Sequence, residues 1–244
     1  MKAIGVIPAR YGSTRFPGKP LAMINGKPML QWVVEGARQS RKLSEIILAT
    51  DDSRIAELGR GLKMEVVMTD SGLPSGSDRV WAAVKDRNVE IVVNIQGDEP
   101  LLKGSLLDQL VTPFESDPKL NMATLGRTLN PGDLESRTTA KIVLNNKGEA
   151  IYFSRFPIPY SRVDAPHGGG ICLRHIGIYA YRKQFLSEFC AHGPTPLEEA
   201  EGLEQLRALY LGARIYLVRV DHESWGVDTP EDVQKIEQIM RTKR

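Results

Sequence analysis

Apolar positions along this chain change their period several times, and each change marks an element. Ala3–Ile7 is a short apolar run of strand type. Over Pro28–Ser40 the apolar residues Met29, Leu30, Trp32, Val33, Val34 and Ala37 recur at helical spacing. Glu45–Thr50 again has strand character, Asp52–Lys63 is helical, Glu65–Met68 is a short strand, and Ser77–Asp86 reads as a helix. Glu90–Ile95 is read as an apolar strand, carried by Ile91, Val92, Val93 and Ile95, as a strand buried on both faces requires. Strands separated by helices of this length predict right-handed βαβ units: a mostly parallel α/β sheet with helices on both faces.

The middle of the chain follows another rule. Lys141–Leu144, Ala150–Phe153 and Ile176–Tyr181 have strand character with few helices between them, and His167-Gly168-Gly169-Gly170 marks a flexible connection. A small, more antiparallel subdomain is expected there. Helical patterns return at Leu197–Leu211 and Pro230–Met240, with a strand at Arg214–Val220 between them. The expected organisation is one domain over 1–244. Its core comes from roughly 1–130 and 196–244, with 131–195 inserted.

Charge and composition narrow the partners. Lysine plus arginine number 32 against 30 aspartates plus glutamates, so no bulk positive field points to nucleic acid. No apolar stretch approaches the ~20 residues of a membrane helix. Ala3–Ile7 follows Met1 too closely for a signal peptide. Cys172 and Cys190 stand outside any CxxC motif, and a chain of this length builds a core without staples. A reduced, cytoplasmic compartment is the expectation.

The strongest chemical signal is the loop after the first strand, Pro8-Ala9-Arg10-Tyr11-Gly12-Ser13-Thr14-Arg15-Phe16-Pro17-Gly18-Lys19-Pro20. Ligands of open α/β sheets bind beyond the carboxyl ends of the strands. There, Gly12, Ser13 and free backbone N–H groups can wrap phosphate oxygens, while Arg10, Arg15 and Lys19 neutralise them. The loop is neither GxGxxG nor GxxxxGK[ST], which argues against a dinucleotide fold and a P-loop. A second signal, Asn94-Ile95-Gln96-Gly97-Asp98-Glu99-Pro100, puts Asp98 at a strand end as a Mg²⁺ ligand candidate. A third, Trp225-Gly226-Val227-Asp228-Thr229-Pro230-Glu231-Asp232, is a helix start with Thr229 as N-cap and Pro230 at the first helical position. Asp228 either serves only that start or faces the crevice. In Pro74-Ser75-Gly76-Ser77-Asp78-Arg79, Ser75 or Ser77 caps the next helix. Gly76 leaves room for a flat base, and Ser and Arg can bond a pyrimidine edge.

Taken together these motifs resemble the CMP-Kdo synthetases, the 3-deoxy-manno-octulosonate cytidylyltransferases. The landmarks are Ile7-Pro8-Ala9-Arg10 through Arg15-Phe16-Pro17-Gly18-Lys19-Pro20, Ser75–Arg79, Gln96–Pro100, Arg174-His175-Ile176-Gly177-Ile178-Tyr179, Leu203-Glu204-Gln205-Leu206-Arg207 and Gly226–Asp232. They run in family order over nearly the whole chain. The resemblance implies a Rossmann-like nucleotidyltransferase fold, a cytoplasmic homodimer and supply of a lipopolysaccharide precursor, with CTP and Kdo as substrates and Mg²⁺ as cofactor. It implies CTP binding by Pro8, Ala9, Arg10, Ser13, Arg15, Lys19, Ser75, Gly76, Arg79 and Gln96. Lys19, Asp98 and Asp228 would be catalytic, the two carboxylates holding the metal. Arg155, Arg162, His175, Tyr179, Glu204 and Gln205 would line the sugar pocket. The family's usual Ser-Gly-Thr-Glu-Arg is here Ser75-Gly76-Ser77-Asp78-Arg79, and Asp164–Ile171 is richer in glycine than the usual pattern.

Three alternatives have distinct signatures. A cytidylyltransferase for another acidic sugar, 8-amino-Kdo or a sialic acid, would be separated by CTP turnover with each sugar. Sialic acid synthetases usually continue the opening with Gly-Gly-Ser-Lys, where this chain has Tyr11-Gly12-Ser13-Thr14-Arg15. A glycosyltransferase of similar fold would carry a DxD metal motif and release no pyrophosphate from CTP. A silent nucleotide-binding module would bind CTP without turning it over. In a single helix over 197–211, Glu204 and Gln205 would point about 100° apart, so both reach one ligand only along a helix edge.

Overall fold

The computed structural model describes residues 1–13, 15–162 and 171–242. Two compact units emerge, 1–108 with 224–244, and 109–223. The first opens with β1 (Ala3–Ala9), then a short hairpin of β2 (Met23–Ile24) and β3 (Lys27–Pro28), and helix α1 (Met29–Ala37). It continues as β4 (Leu43–Thr50), α2 (Ser53–Gly61), β5 (Glu65–Met68), α3 (Gly76–Val84) and β6 (Ile91–Asn94). Helix α4 (Gly104–Val111) leads the chain out of this unit.

The strands of this unit run β6-β1-β4-β5, every pair parallel. β1 sits between two neighbours, with Val6 opposite Ile47 on one side and Asn94 on the other. That position explains its unbroken apolar run. Ile4, Val6, Ile7, Ile47, Leu48, Val92 and Val93 are all shut off from solvent. Burial of each larger side chain is worth roughly 1.5–3 kcal/mol. In α1 the positions read as helical, Met29, Leu30, Val33, Val34 and Ala37, form the buried face.

The second unit holds α5 (Pro113–Ser116), β7 (Met122–Thr128), β8 (Lys141–Leu144), β9 (Ala150–Ser154), β10 (Cys172–Arg182), α6 (Lys183–Ala191), α7 (Pro196–Glu201), α8 (Leu206–Tyr210) and β11 (Ile215–Arg219). Within it the order is β11-β7-β10-β8-β9, parallel only between β11 and β7. The expected antiparallel segment 131–195 falls wholly inside this unit. β7 and β11 lie outside that segment in sequence, yet β7 pairs with β10 and β11 with β7. Helix α9 (Pro230–Thr242) belongs to the first unit, where Val227 and Ile236 share a core cluster with Ile24 and Met29. The expected glycine connection at 167–170 lies outside the described residues.

Two elements differ from the sequence reading. The expected strand 176–181 is the C-terminal half of β10, which begins at Cys172. Polar Arg174 and His175 hid its start. Arg174 pairs with Asp133 at 2.8 Å, and His175 is buried against Thr124. The expected helix 197–211 is two helices, α7 and α8. Gly202, at φ 60°, takes the left-handed conformation that ends α7, a geometry glycine adopts at little cost. Glu204 and Gln205 therefore occupy the connection, and the constraint expected from one continuous helix disappears.

Candidate active site

In the first unit, every residue assigned to CTP lines one cavity of about 330 Å³, together with Asp98 and Asp228. The cavity lies at the carboxyl edge of β1 and β6. The loop after β1 folds on itself: Ser13 and Gly18 both donate their N–H to the Tyr11 carbonyl at 2.9 Å. The Arg54 guanidinium stacks 3.5 Å over the Tyr11 ring, a cation–π contact that fastens the loop to α2. At Gly97 a Cβ would stand 3.2 Å from the Pro8 carbonyl oxygen. A side chain there would push β1's end away from the Asp98 turn.

The two carboxylates converge. Lys19 Nζ donates to Asp98 Oδ2 at 2.6 Å and lies 3.7 Å from Asp228 Oδ1, while Arg15 Nη2 reaches Asp228 Oδ1 at 3.0 Å. The convergence is built into the backbone, because Val227 N–H donates to the Asp98 carbonyl at 3.0 Å. Glu99 reinforces it by accepting from the Ser224 hydroxyl. Asp228 is thus more than a helix start. The turn into α9 is braced by Asp232, whose Oδ2 accepts the Asp228 and Thr229 N–H groups at 3.1 and 3.0 Å. No group of three or more His, Cys, Asp or Glu suited to a metal occurs among the described residues. Two convergent carboxylates nevertheless fit Mg²⁺, which takes one or two carboxylates and completes its shell with phosphate oxygens and water.

The opposite wall is α3. Ser75 is its cap, accepting the Asp78 N–H at 3.2 Å and donating to Asp78 Oδ2 at 2.7 Å. Gly76 leaves the space beside Pro8 open, and Gln96 follows β6 into the cavity. Arg79 is buried and held, bonding Asp51 Oδ2 at 2.9 Å and the Thr69 hydroxyl.

The second unit carries the residues assigned to the sugar. Tyr179 donates its hydroxyl to Gln205 Oε1 at 3.2 Å. Gln205 is buried, and its Nε2 has no hydrogen-bond partner among the described residues. An unmet buried donor costs roughly 1–3 kcal/mol unless something fills it. Glu204 lies 3.8 Å from Arg207. The Arg155 guanidinium donates to the carbonyls of Glu201 (2.9 Å), Gly202 (3.1 Å), Arg137 (3.3 Å) and Thr138 (3.4 Å). Carbonyl partners orient the cation without cancelling its charge. Arg162 is exposed at the edge of the described residues, beside 163–170.

His175 meets the Phe153 ring edge-to-face and the Tyr179 ring at a tilt, with ring centroids 5.0 and 5.5 Å away, and its Nε2 lies 2.9 Å from the Thr124 hydroxyl. Burial holds its pKa down at about 3 and pushes the Tyr179 phenol well above its ordinary range. Both side chains are therefore neutral across the physiological range. The folded-state histidine pKa lies below the unfolded one, so acid favours the unfolded chain. His175 should cost the fold up to about 1.4 kcal/mol per pH unit as pH falls from about 6.5 towards 3. Urea unfolding of wild type and His175→Gln at pH 7 and pH 5 checks this. The stability gap should move in the variant's favour at pH 5, and an unchanged gap counts against the assignment.

A cytidylyltransferase family model matches residues 4–215. A 3-deoxy-manno-octulosonate cytidylyltransferase of Bdellovibrio bacteriovorus is 53% identical over 245 residues, covering 100% of this chain and 99% of that one. The chain belongs to the 3-deoxy-manno-octulosonate cytidylyltransferases. The Zea mays cytidylyltransferase of the same name is 43% identical and covers 99% of this chain and 82% of its own. A solved CMP:2-keto-3-deoxy-manno-octonic acid synthetase complexed with CTP matches over 100% of both chains, with a TM-score of 0.93 and 38% identity. A 4-diphosphocytidyl-2C-methyl-D-erythritol synthase from Anaerococcus prevotii, at 14% identity and a TM-score of 0.66, shares the fold alone.

Within this cytidylyltransferase, several partners of the assigned residues escaped the sequence reading. Asp51 follows the apolar end of β4, a strand-end carboxylate of the same type as Asp98. Lys141 opens an otherwise apolar strand, which was the signal it offered. Nothing local in the sequence singled out Thr124 or Glu201.

Proposed function

We propose that this cytidylyltransferase transfers CMP from CTP to Kdo, giving CMP-Kdo and pyrophosphate. One geometric observation carries the reading: the basic loop after β1 and both carboxylates meet in one cavity through Lys19. The Bdellovibrio bacteriovorus relative and the solved synthetase complexed with CTP support the choice of nucleotide and sugar.

In this reading the anomeric hydroxyl of the sugar attacks the α-phosphorus of CTP. A new O–P bond forms as the bond to the β,γ-pyrophosphate breaks. Both substrates are anions, so the protein's work is charge neutralisation and alignment. Arg10, Arg15 and Lys19 take the triphosphate, and Ser75, Gly76, Arg79 and Gln96 take the base. Asp98 and Asp228 would hold Mg²⁺, which when bound polarises phosphoryl oxygens and the attacking hydroxyl. Arg155 and Arg162 supply positive charge for the sugar carboxylate. His175, Tyr179, Glu204 and Gln205 supply hydrogen bonds, with Gln205 Nε2 a buried donor that a sugar hydroxyl would satisfy. The test is pyrophosphate release across four NTPs with Kdo, 8-amino-Kdo and a sialic acid. Release confined to CTP with Kdo is expected, and release with another pair overturns the assignment.

The same reading makes the protein a cytoplasmic homodimer in lipopolysaccharide precursor supply. Cys172 and Cys190 form no disulfide, and no helix among the described residues is long and apolar enough to cross a membrane. Ile151, Phe156, Tyr160 and Ile171 expose 59, 65, 88 and 63% of their surface in and beside β9 and β10. Apolar groups this open favour a two-fold contact with a second copy. Light scattering at micromolar concentration should give twice the chain mass, and a monomer would contradict the pairing.

A further inference from the structure

Lys141 is fully buried in β8, between Ser154 of β9 and Arg174 of β10 in register. A lysine in a strand paired on both sides is costly, since burial disfavours its charge. Its ammonium has three N–H donors, and three main-chain carbonyls take them: Ser136 and Thr139 at 2.8 Å, and Arg155. Glu201 grips the same residue from the other side. Its Oε2 accepts the Arg155 main-chain N–H at 2.8 Å, and its Oε1 accepts the Ser154 hydroxyl at 2.7 Å. The N–H and the C=O of Arg155 are thus each held by an ionised side chain from another element. Such charge-assisted bonds are about twice as strong as neutral ones.

The side chain is held by the same two segments. Lys141 ties down 136–139, whose Arg137 and Thr138 carbonyls accept the guanidinium. Glu201 ends α7, whose Glu201 and Gly202 carbonyls accept it as well. An apolar residue at 141 would avoid the buried charge but leave the Ser136, Thr139 and Arg155 carbonyls without their donor, so the lysine is what ties these three points together. We infer that Lys141 and Glu201 are positioning residues that fix Arg155, backbone and guanidinium together, for the sugar carboxylate. The inference rests on the reading that Arg155 meets the sugar.

Steady-state kinetics on the full-length enzyme, varying CTP and Kdo separately, tests it. Lys141→Met and Glu201→Ala should each raise the Kdo KM at least about tenfold, with the CTP KM unchanged within about twofold, because misplacing a binding group by an ångström is costly. Glu201→Gln should recover most of the loss, since an amide oxygen still accepts the Arg155 N–H. Lys141→Met combined with Arg155→Ala should be no worse than Arg155→Ala alone. Equal rises in both KM values, additive effects or normal Kdo kinetics would overturn the inference. If Lys141→Met does not fold, the Glu201 pair carries the test by itself. The underlying reading fails separately: Arg155→Ala with an unchanged Kdo KM removes Arg155 from the sugar, and the positioning role with it. A defect in Arg155→Ala without one in Lys141→Met or Glu201→Ala overturns only the positioning.

Discussion

Asp98→Asn is expected to leave a folded protein that releases pyrophosphate at no more than about a hundredth to a thousandth of the wild-type rate. The substitution keeps shape and removes charge. Asp98 holds Lys19 at 2.6 Å, and its carbonyl anchors Val227 N–H, a bond that asparagine preserves. On the proposed reading, what disappears is one of the two carboxylates that would hold Mg²⁺, together with the charge that pairs with Lys19. Loss of one charge stabiliser in a reacting centre commonly costs about 3–4 kcal/mol of transition-state stabilisation. Asp228→Asn should lose activity to a similar degree. Its effect on stability should be smaller still, because its partner Arg15 is largely exposed and exposed pairs are worth little. The measurements are single-turnover pyrophosphate release at several Mg²⁺ concentrations and circular dichroism of both variants. Near-normal rates at low Mg²⁺ in either variant would remove that carboxylate from the metal.

The cavity of the first unit was largely legible because its residues lie at strand ends, where the local pattern already says which way the chain turns. Pro8 to Pro20 follows an apolar strand, and Gln96 to Asp98 follows another. The meeting of Asp98 with Asp228 was legible only through the family resemblance, not from the residues themselves. It depends on ties between segments about half the chain apart, the Val227 N–H to the Asp98 carbonyl and Ser224 to Glu99, and the local pattern around Asp228 reads as a helix start. The sugar side was less readable for a different reason. β10 is interrupted in sequence by Arg174 and His175, and the polarity of both is explained only by partners brought in from afar, Asp133 and Thr124. The Thr124 hydroxyl also lies 3.2 and 3.0 Å from the Ile176 and Ile178 carbonyls, where the β10–β7 register slips. Alternation alone cannot anticipate such a slip. One glycine made the remaining difference: Gly202 reads as tolerable inside a helical pattern, yet its left-handed backbone splits that pattern in two.

Arg79→Leu is expected to reduce both stability and CTP use, and the two losses can be separated. The Arg79 side chain keeps 4% of its exposure and Asp51 15%, with 2.9 Å between Nη2 and Oδ2. Removing one partner of a buried pair leaves the other charge uncompensated, at roughly 3–5 kcal/mol, whereas replacing both by apolar groups is often neutral. Arg79→Leu alone should therefore lose about 3 kcal/mol in urea unfolding. Adding Asp51→Leu should restore most of it. CTP turnover should stay low in both, because neither variant presents a guanidinium beside Ser75 and Gly76. Arg79→Lys should recover only part of the activity, since one ammonium cannot serve Asp51 and the Thr69 hydroxyl in the geometry of a planar fork. If the double variant regained CTP turnover along with its stability, Arg79 would be a structural partner of Asp51 and would have no part in holding the nucleotide. If the double variant stayed as unstable as Arg79→Leu, the pair would not be what anchors α3 to the ends of β4 and β5.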